Sequence, residues 1–219
     1  MIILGIDSST VYGTVGIVEN DEPVGEYRFR AEMSQSEKLL PVLDYLLKDL
    51  DYDKRELDKV VVSTGPGSFT GLRIGISTAK GICHSMGIPL VGVPLTDVYY
   101  QRVSFYPGPV VALISDRRNL VYYALFKEGS KLLKEKSRPL KEMIEEVSKY
   151  GKEVLCIGEG AIKHREELEK NGSFLTADRE LNLPSSIELA SMGSSVERDD
   201  LMRVEPLYAQ RPMAERKHS

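Results

Sequence analysis

Three short segments carry residue types that could do chemistry. The first is Asp7-Ser8-Ser9-Thr10, which follows the apolar run Ile2-Ile3-Leu4-Gly5-Ile6. A carboxylate and three hydroxyls at the end of a strand can ligate an anion through hydroxyls and backbone N–H groups, with the acid orienting a metal or water. The same residues also suit an ordinary polar β-turn, because Asp and Ser bond to their own backbone. The second segment is Gly65-Pro66-Gly67-Ser68-Phe69-Thr70-Gly71-Leu72-Arg73-Ile74-Gly75. It follows an apolar strand and opens a helix, a place where backbone donors can meet an anion. It has no Gly-Lys-Ser/Thr ending, so it is not a Walker A loop, and Pro66 and Phe69 disturb the spacing of a dinucleotide cradle. The third is a pair of turns, Asp116-Arg117-Arg118-Asn119 and Gly158-Glu159-Gly160-Ala161. The Asp116 turn lacks the glycine that lets backbone come close to phosphate.

Other chemistries find less support. A metallopeptidase needs clustered ligands, such as two histidines one helical turn apart. His84, His164 and His218 are scattered, so neither a metal site nor a protease is expected. Cys83 and Cys156 sit in apolar runs, as small buried hydrophobes do, and two isolated thiols suit a reducing compartment. A net charge of −4 and a pI near 5.6 argue against nucleic-acid binding by this chain alone. Arg211, Arg216 and Lys217 near the end are too few to change that balance. No apolar stretch approaches the roughly 20 residues of a membrane span, and the acid at Asp7 argues against a signal peptide. The expected location is the cytoplasm.

The elements that must position these segments occur in an order that repeats. Strands at 2–7, 14–19 and 24–30 precede a helix in which Ser34 and Glu37 are spaced as a capping box, with leucines at 39, 43, 46 and 50. A strand at 60–62 leads to a helix over 70–86. The second half replays this with strands at 110–115, 121–126 and 131–136, a helix at 139–150, a strand at 154–157 and a further helical stretch. Pro107-Gly108-Pro109 breaks any regular element and divides the chain into lobes 1–106 and 107–219. Two βββαβα units in series resemble the actin, Hsp70 and sugar-kinase (ASKHA) superfamily. That resemblance implies an α/β actin-like ATPase fold in which Asp7, Ser8, Ser9 and Thr10 form a vestigial phosphate loop. It also implies that a working cleft needs a second phosphate turn and a Gly-Gly turn for adenosine. The Asp116 turn and Glu159 depart from both, so a complete ATPase site is not expected.

The helix over 70–86 carries many small residues. Interior glycine costs up to about 1 kcal/mol against alanine, so Gly71, Gly75 and Gly81 call for a compensating close approach, by another helix. Leu72, Ile76, Ala79, Cys83 and Met86 make one apolar face for the core. Gly71, Ile74, Thr78, Gly81 and Ser85 lie broadly on another, and Leu40 and Leu47 fall off the leucine stripe of the preceding helix. Both helices could be sandwiched within the protein, or they could form a docking face. On the second reading Leu40, Leu47, Gly71, Ile74, Gly75, Thr78, Gly81 and Ser85 are the interface candidates.

The 65–75 segment resembles the signature of the TsaB (YeaZ) family. The opening Ile3-Leu4-Gly5-Ile6-Asp7-Ser8-Ser9-Thr10, the Leu39-Leu40-Pro41 at a helix start and Glu205-Pro206-Leu207-Tyr208 are similar to it as well. Gln35 departs from the family, which commonly carries His there. The resemblance implies a non-catalytic paralogue of TsaD. Such a subunit is required for threonylcarbamoyladenosine next to the anticodon in tRNAs that read codons beginning with A. It implies pairing with TsaD through a helical face, a third partner in the small ATPase TsaE, a homodimer when alone, and tRNA contact only through the complex. No cofactor or metal of its own is implied; ATP and metal belong to TsaD and TsaE. The alternatives are a small-molecule kinase or ATPase using Asp7 with Asp97 or Asp116, a metal-dependent glycoprotease, and a free-standing anion-binding module.

Overall fold

The computed structural model describes residues 1–30, 35–116, 119–197 and 203–207. Ser34, Arg117, Arg118, Tyr208, Arg211, Arg216, Lys217, His218 and the side chain of Gln35 lie outside the described residues. The chain forms two compact units. One is Met1–Val98 with Pro184–Pro206, and the other is Tyr99–Leu183 with Leu207. A single crossing near residue 106 is expected from Pro107-Gly108-Pro109. The first crossing instead falls at Val98/Tyr99, and a second at Leu183/Pro184 returns the chain to the first unit.

The first unit is built on β1 (Ile2–Asp7), β2 (Tyr12–Glu19), β3 (Glu22–Arg30), β4 (Lys59–Gly65) and β5 (Leu90–Pro94), in sheet order β3-β2-β1-β4-β5. β1 pairs antiparallel with β2 and parallel with β4. A strand covered on both faces reads as a continuous apolar run, and that is why Ile3, Leu4 and Ile6 are all fully buried. On one face lie α1 (Gln35–Asp49) and α2 (Phe69–Met86). Leu39, Leu43 and Leu46 of α1 and Ile76, Ala79 and Cys83 of α2 join Leu4, Ile6, Val60 and Val62 in one core.

The opposite face is covered by α7 (Ser186–Ser194), which comes from the far end of the chain. Gly5 makes this possible, since a Cβ there would stand 2.1 Å from the Ser186 carbonyl oxygen. Charges hold both helix ends. The Glu26 carboxylate accepts from the Ser186 amide, from Ser186 Oγ at 2.8 Å and from the Ile187 amide at 3.2 Å. Buried Lys59 donates from Nζ to the carbonyls of Gly193, Ser194 and Val196 at 3.2, 2.9 and 2.7 Å. An anion at the N-terminus and a cation at the C-terminus match the helix dipole.

The second unit repeats the plan. α3 (Leu95–Gln101) leads into β6 (Val110–Ser115), β7 (Leu120–Lys127), β8 (Ser130–Pro139), α4 (Leu140–Val147), β9 (Val154–Ile157), α5 (Glu159–Lys163), α6 (Arg165–Glu169) and β10 (Phe174–Thr176). The sheet order β10-β9-β6-β7-β8 is the first sheet's order with each strand replaced by its counterpart, read from the other edge. The duplication expected from sequence is therefore present strand for strand. Leu140, Met143, Ile144 and Val147 of α4 pack on Val121, Tyr123 and Leu125. Among the described residues no helix is long and apolar enough to cross a membrane.

Candidate functional site

At the end of β1 the hydroxyls are engaged before any ligand arrives. Asp7 is 1% exposed, and its Oδ1 accepts from the Ser9 amide at 2.9 Å and from Ser9 Oγ at 2.6 Å. Its Oδ2 is buried without a partner. Burial pushes the Asp7 carboxyl above the usual carboxylate range, against the opposing pull of the Ser9 bonds. Ser8 Oγ donates to the Gly71 carbonyl at 2.8 Å, and Thr10 Oγ1 donates to the Tyr12 carbonyl at 3.1 Å. The Ser9 carbonyl accepts from the Ser68 amide at 2.6 Å.

The 65–75 segment is what closes this loop. Its Gly65-Pro66 bond is cis, and Ser68 caps α2 by accepting from the Gly71 amide at 3.2 Å. A Cβ on Gly67 would lie 2.2 Å from the Ser9 oxygen, one on Gly71 2.1 Å from the Ser8 oxygen, and one on Gly75 2.3 Å from Ser8 Oγ. Four-residue spacing puts the three on one side of the turn and helix, where they cradle Ser8 and Ser9. The close approach expected from another helix is thus supplied, at Gly71 and Gly75, by the protein's own loop. Both residues are buried and leave the list of outward-facing candidates.

In the second unit Glu159 occupies the turn after β9, and its Oε1 accepts from the Ser115 amide at the end of β6 at 2.6 Å. Burial raises the Glu159 pKa, and the Ser115 bond partly offsets this. Gly158 adopts φ 109°, a conformation that favours glycine, and its amide donates to Asn182 Oδ1 at 2.8 Å. Asn182 also donates to the carbonyls of Ala177 and Asp178 at 2.7 and 3.0 Å, so one buried amide fixes the turn and the segment beyond β10. Sequence reasoning passed over Asn182, because nothing local marks a residue whose partners are other segments' backbone. The Asp116 amide closes its own turn on the Leu120 carbonyl at 2.9 Å.

Among the described residues no group of three or more His, Cys, Asp or Glu could hold a metal ion. His84 is exposed, and His164 is half-buried with its pKa lowered by burial. Both thiols are buried, and the Cys83 thiol is pushed up to about 11, which leaves it unreactive.

The outward side of α1 and α2 holds a groove of about 610 Å³. Leu40, Leu43, Leu47, Ile82 and Met86 line it, with Thr78, Gly81 and Ser85 along α2 and Lys54 and Arg55 at its edge. Leu40 is 49% exposed, whereas Leu47 is 6% exposed and belongs to the core as much as to the groove. Ile74 packs partly against the core and does not line the groove. Of the eight interface candidates the structure therefore brings Leu40, Leu47, Thr78, Gly81 and Ser85 together, and separates Gly71, Ile74 and Gly75 from them.

A family profile described as TsaD, tRNA N6-adenosine threonylcarbamoyltransferase, matches residues 30–195. The tRNA threonylcarbamoyladenosine biosynthesis protein TsaB of Bacillus subtilis (strain 168) is 29% identical over 99% of this chain and 97% of its own. A Pseudomonas aeruginosa protein described as similar to peptidase YeaZ superposes with a TM-score of 0.78 at 21% identity, over 95% of this chain and 99% of that one. A Bacteroides thetaiotaomicron protein described as having an actin-like ATPase fold and unknown function gives 0.54 at 12% identity, over 87% and 95%. The fold is that of the actin-like ATPases, as the strand order of the two halves leads one to expect.

Proposed function

The chain belongs to the TsaD family and, within it, to the TsaB/YeaZ proteins of threonylcarbamoyladenosine biosynthesis, and from that premise we propose a non-catalytic, partner-supporting role. The observation that carries this reading is the closed loop after β1. The hydroxyl hydrogens of Ser8, Ser9 and Thr10 are spent on internal bonds, and three glycines hold the loop against α2. In the second unit the Asp116 turn lacks the glycine that lets backbone come close to phosphate, and Glu159 puts a carboxyl in the turn after β9, where a Gly-Gly turn would meet adenosine. A chain whose first phosphate turn is closed and whose other cleft turns depart in this way contributes binding rather than turnover.

The groove between α1 and α2 is the surface we assign to the partner, a TsaD-type catalytic subunit, with a TsaE-type ATPase completing the assembly. The chain alone pairs with itself through the same surface, since a two-fold dimer hides one patch on both copies. The modified tRNAs are those reading codons that begin with A, and ATP and metal act in the partners. Depletion of this protein, followed by mass spectrometry of tRNA nucleosides, tests the reading. Threonylcarbamoyladenosine falls away and returns with the wild-type chain but not with Leu40→Glu. An unchanged nucleoside profile in depleted cells would refute it.

A further inference from the structure

Two buried polar atoms of the first unit have no hydrogen-bond partner among the described residues, and the sheet register sets them side by side. They are Asp7 Oδ2 and Thr14 Oγ1. Asp7 and Thr14 are the last pair of the β1–β2 ladder, and residues directly opposite on one face stand about 4.5–5.5 Å apart at Cβ. Both project to the α7 side, because side chains alternate along a strand. Gly5 and Gly16, the ladder pair two residues away, meet Ser186 of α7, whereas Leu4 and Ile6 belong to the α1/α2 core. Ser63 of β4 shares the α7 face, since Val61, two residues before it, meets Gly193. The Ser63 hydroxyl is buried, favours the charged form of Asp7, and accepts from the Gly65 amide at 3.3 Å. One carboxylate oxygen and two hydroxyls thus gather beside the start of α7.

We propose that this face is a binding site for one internal water molecule, which bridges Asp7 Oδ2 and Thr14 Oγ1 and has the Ser63 hydroxyl as its third contact. A buried polar atom left unpaired costs its full desolvation penalty, and here two such atoms stand at opposed positions of one ladder. A buried water asks for two to four polar partners, and this face supplies three. Water donates to the carboxylate oxygen, while a hydroxyl can either donate to the water or accept from it. The last pair of the second sheet's corresponding ladder is Ser115 and Val121. There a valine, close to threonine in shape, fills the place of Thr14, so packing alone does not call for the hydroxyl. A calcium or magnesium ion takes six or more oxygens, and no group of three or more His, Cys, Asp or Glu among the described residues could hold a metal ion. The bridge gives Asp7 a structural task at the closed loop. That agrees with the non-catalytic reading and does not depend on it.

The sign of one substitution in the full chain tests this. If Thr14 Oγ1 holds a water, Thr14→Val strips that water of a partner and should lower the folding constant about tenfold in urea denaturation. If the hydroxyl is dry and unpaired, the same change removes a buried orphan and the variant is at least as stable as wild type. That second result overturns the proposal. A high-resolution crystal structure of the wild-type chain supplies an independent reading. Density for one oxygen within about 3 Å of both Asp7 Oδ2 and Thr14 Oγ1 is expected. The two side chains bonded directly to each other, with nothing between them, would overturn the bridge. Should Thr14→Val fail to fold, the wild-type density decides alone. Unfolding is also compared in sodium, potassium and N-methylglucamine chlorides at equal ionic strength, where equal stability is expected. A stabilisation specific to sodium or potassium that Thr14→Val abolishes would replace the water with a monovalent cation and overturn the proposal as stated.

Discussion

Alanine placed at Gly71, Gly75 and Gly81 should move stability in different directions, although all three lie in one helix. Taken alone, glycine to alanine in a helix interior gains up to about 1 kcal/mol. At Gly81 no heavy atom lies within 4 Å of the added Cβ, so Gly81→Ala should stabilise by about 0.5–1 kcal/mol. At Gly71 the Cβ would stand 2.1 Å from a main-chain oxygen of Ser8, which cannot rotate away. Moving the loop breaks the Ser8–Gly71 and Ser68–Ser9 bonds at 2.8 and 2.6 Å, each worth about 1 kcal/mol. Overpacking adds about 1–3 kcal/mol. Less the helix gain, Gly71→Ala should cost about 2–4 kcal/mol. At Gly75 the obstacle is Ser8 Oγ at 2.3 Å, while Ser8 Cβ stands at an ordinary 3.6 Å. Ser8→Ala therefore removes the clash, and the double variant should be more stable than additivity allows by about 1 kcal/mol. Urea denaturation with a constant m value measures all four changes. A wild-type Gly71→Ala, or strictly additive Ser8→Ala and Gly75→Ala, would show that the loop is not seated on α2 as described.

Burial raises the Asp7 carboxyl above its usual 3.8, so the folded chain binds that proton more tightly than the unfolded one. Stability contributed by the protonated form then declines as pH rises from about 4 through the raised value. Relative to wild type, Asp7→Asn should gain ground between pH 4 and pH 8, and an equal difference at both would contradict this. Glu26→Ala strips three acceptor contacts from the start of α7. It should cost about 2–3 kcal/mol, as loss of a charged partner does, and increase amide exchange in residues 186–194; unchanged exchange there would count against the clamp. Lys59→Met leaves three carbonyls at the other end unpartnered and should cost about 1–3 kcal/mol, with wild-type melting the contrary result. Purified alone, the chain should hydrolyse ATP at less than about 0.1 per second, low for an enzyme. Faster turnover abolished by Asp7→Ala would overturn the non-catalytic reading.

The leucines of α1, the apolar run of β1 and the two βββαβα orders were legible because each is a local pattern, set by what a strand or helix must bury on its own. The core face of α2 followed from the same periodicity. Gly71 and Gly75 were legible as close-approach positions, but their partner was not. Helical spacing shows which residues share a face and says nothing about which segment comes to lie on it. The short β5, β10 and α3 escaped notice, having too few residues to show a period. α7 escaped for another reason: Ser186–Ser194 is buried by a sheet more than a hundred residues upstream, and the matching signals, Gly5, Glu26 and Lys59, look locally like an ordinary strand glycine and two surface charges. Exposure of Leu40 beside buried Leu39 and Leu43 could be anticipated from the stripe, whereas Leu47 sits where stripe and groove meet.

The double crossing at Val98/Tyr99 and Leu183/Pro184 makes the first unit discontinuous in sequence, and this bears on how the protein is born. A ribosome adds about 5–20 residues per second, so the stretch from Tyr99 to Leu183 emerges over roughly 4–17 s. Throughout that interval all five strands of the first sheet have left the tunnel, or are leaving it, while the helix that covers the Gly5 face does not yet exist. The second sheet, encoded without interruption between Val110 and Thr176, has every strand in hand before α7 is translated. The nascent chain therefore completes its later sheet first, and the half that carries the α1/α2 groove waits with one apolar face bare. A transcript cut short after residue 183 would release a protein with a complete second sheet and an uncovered first one, a ready substrate for chaperones and proteases.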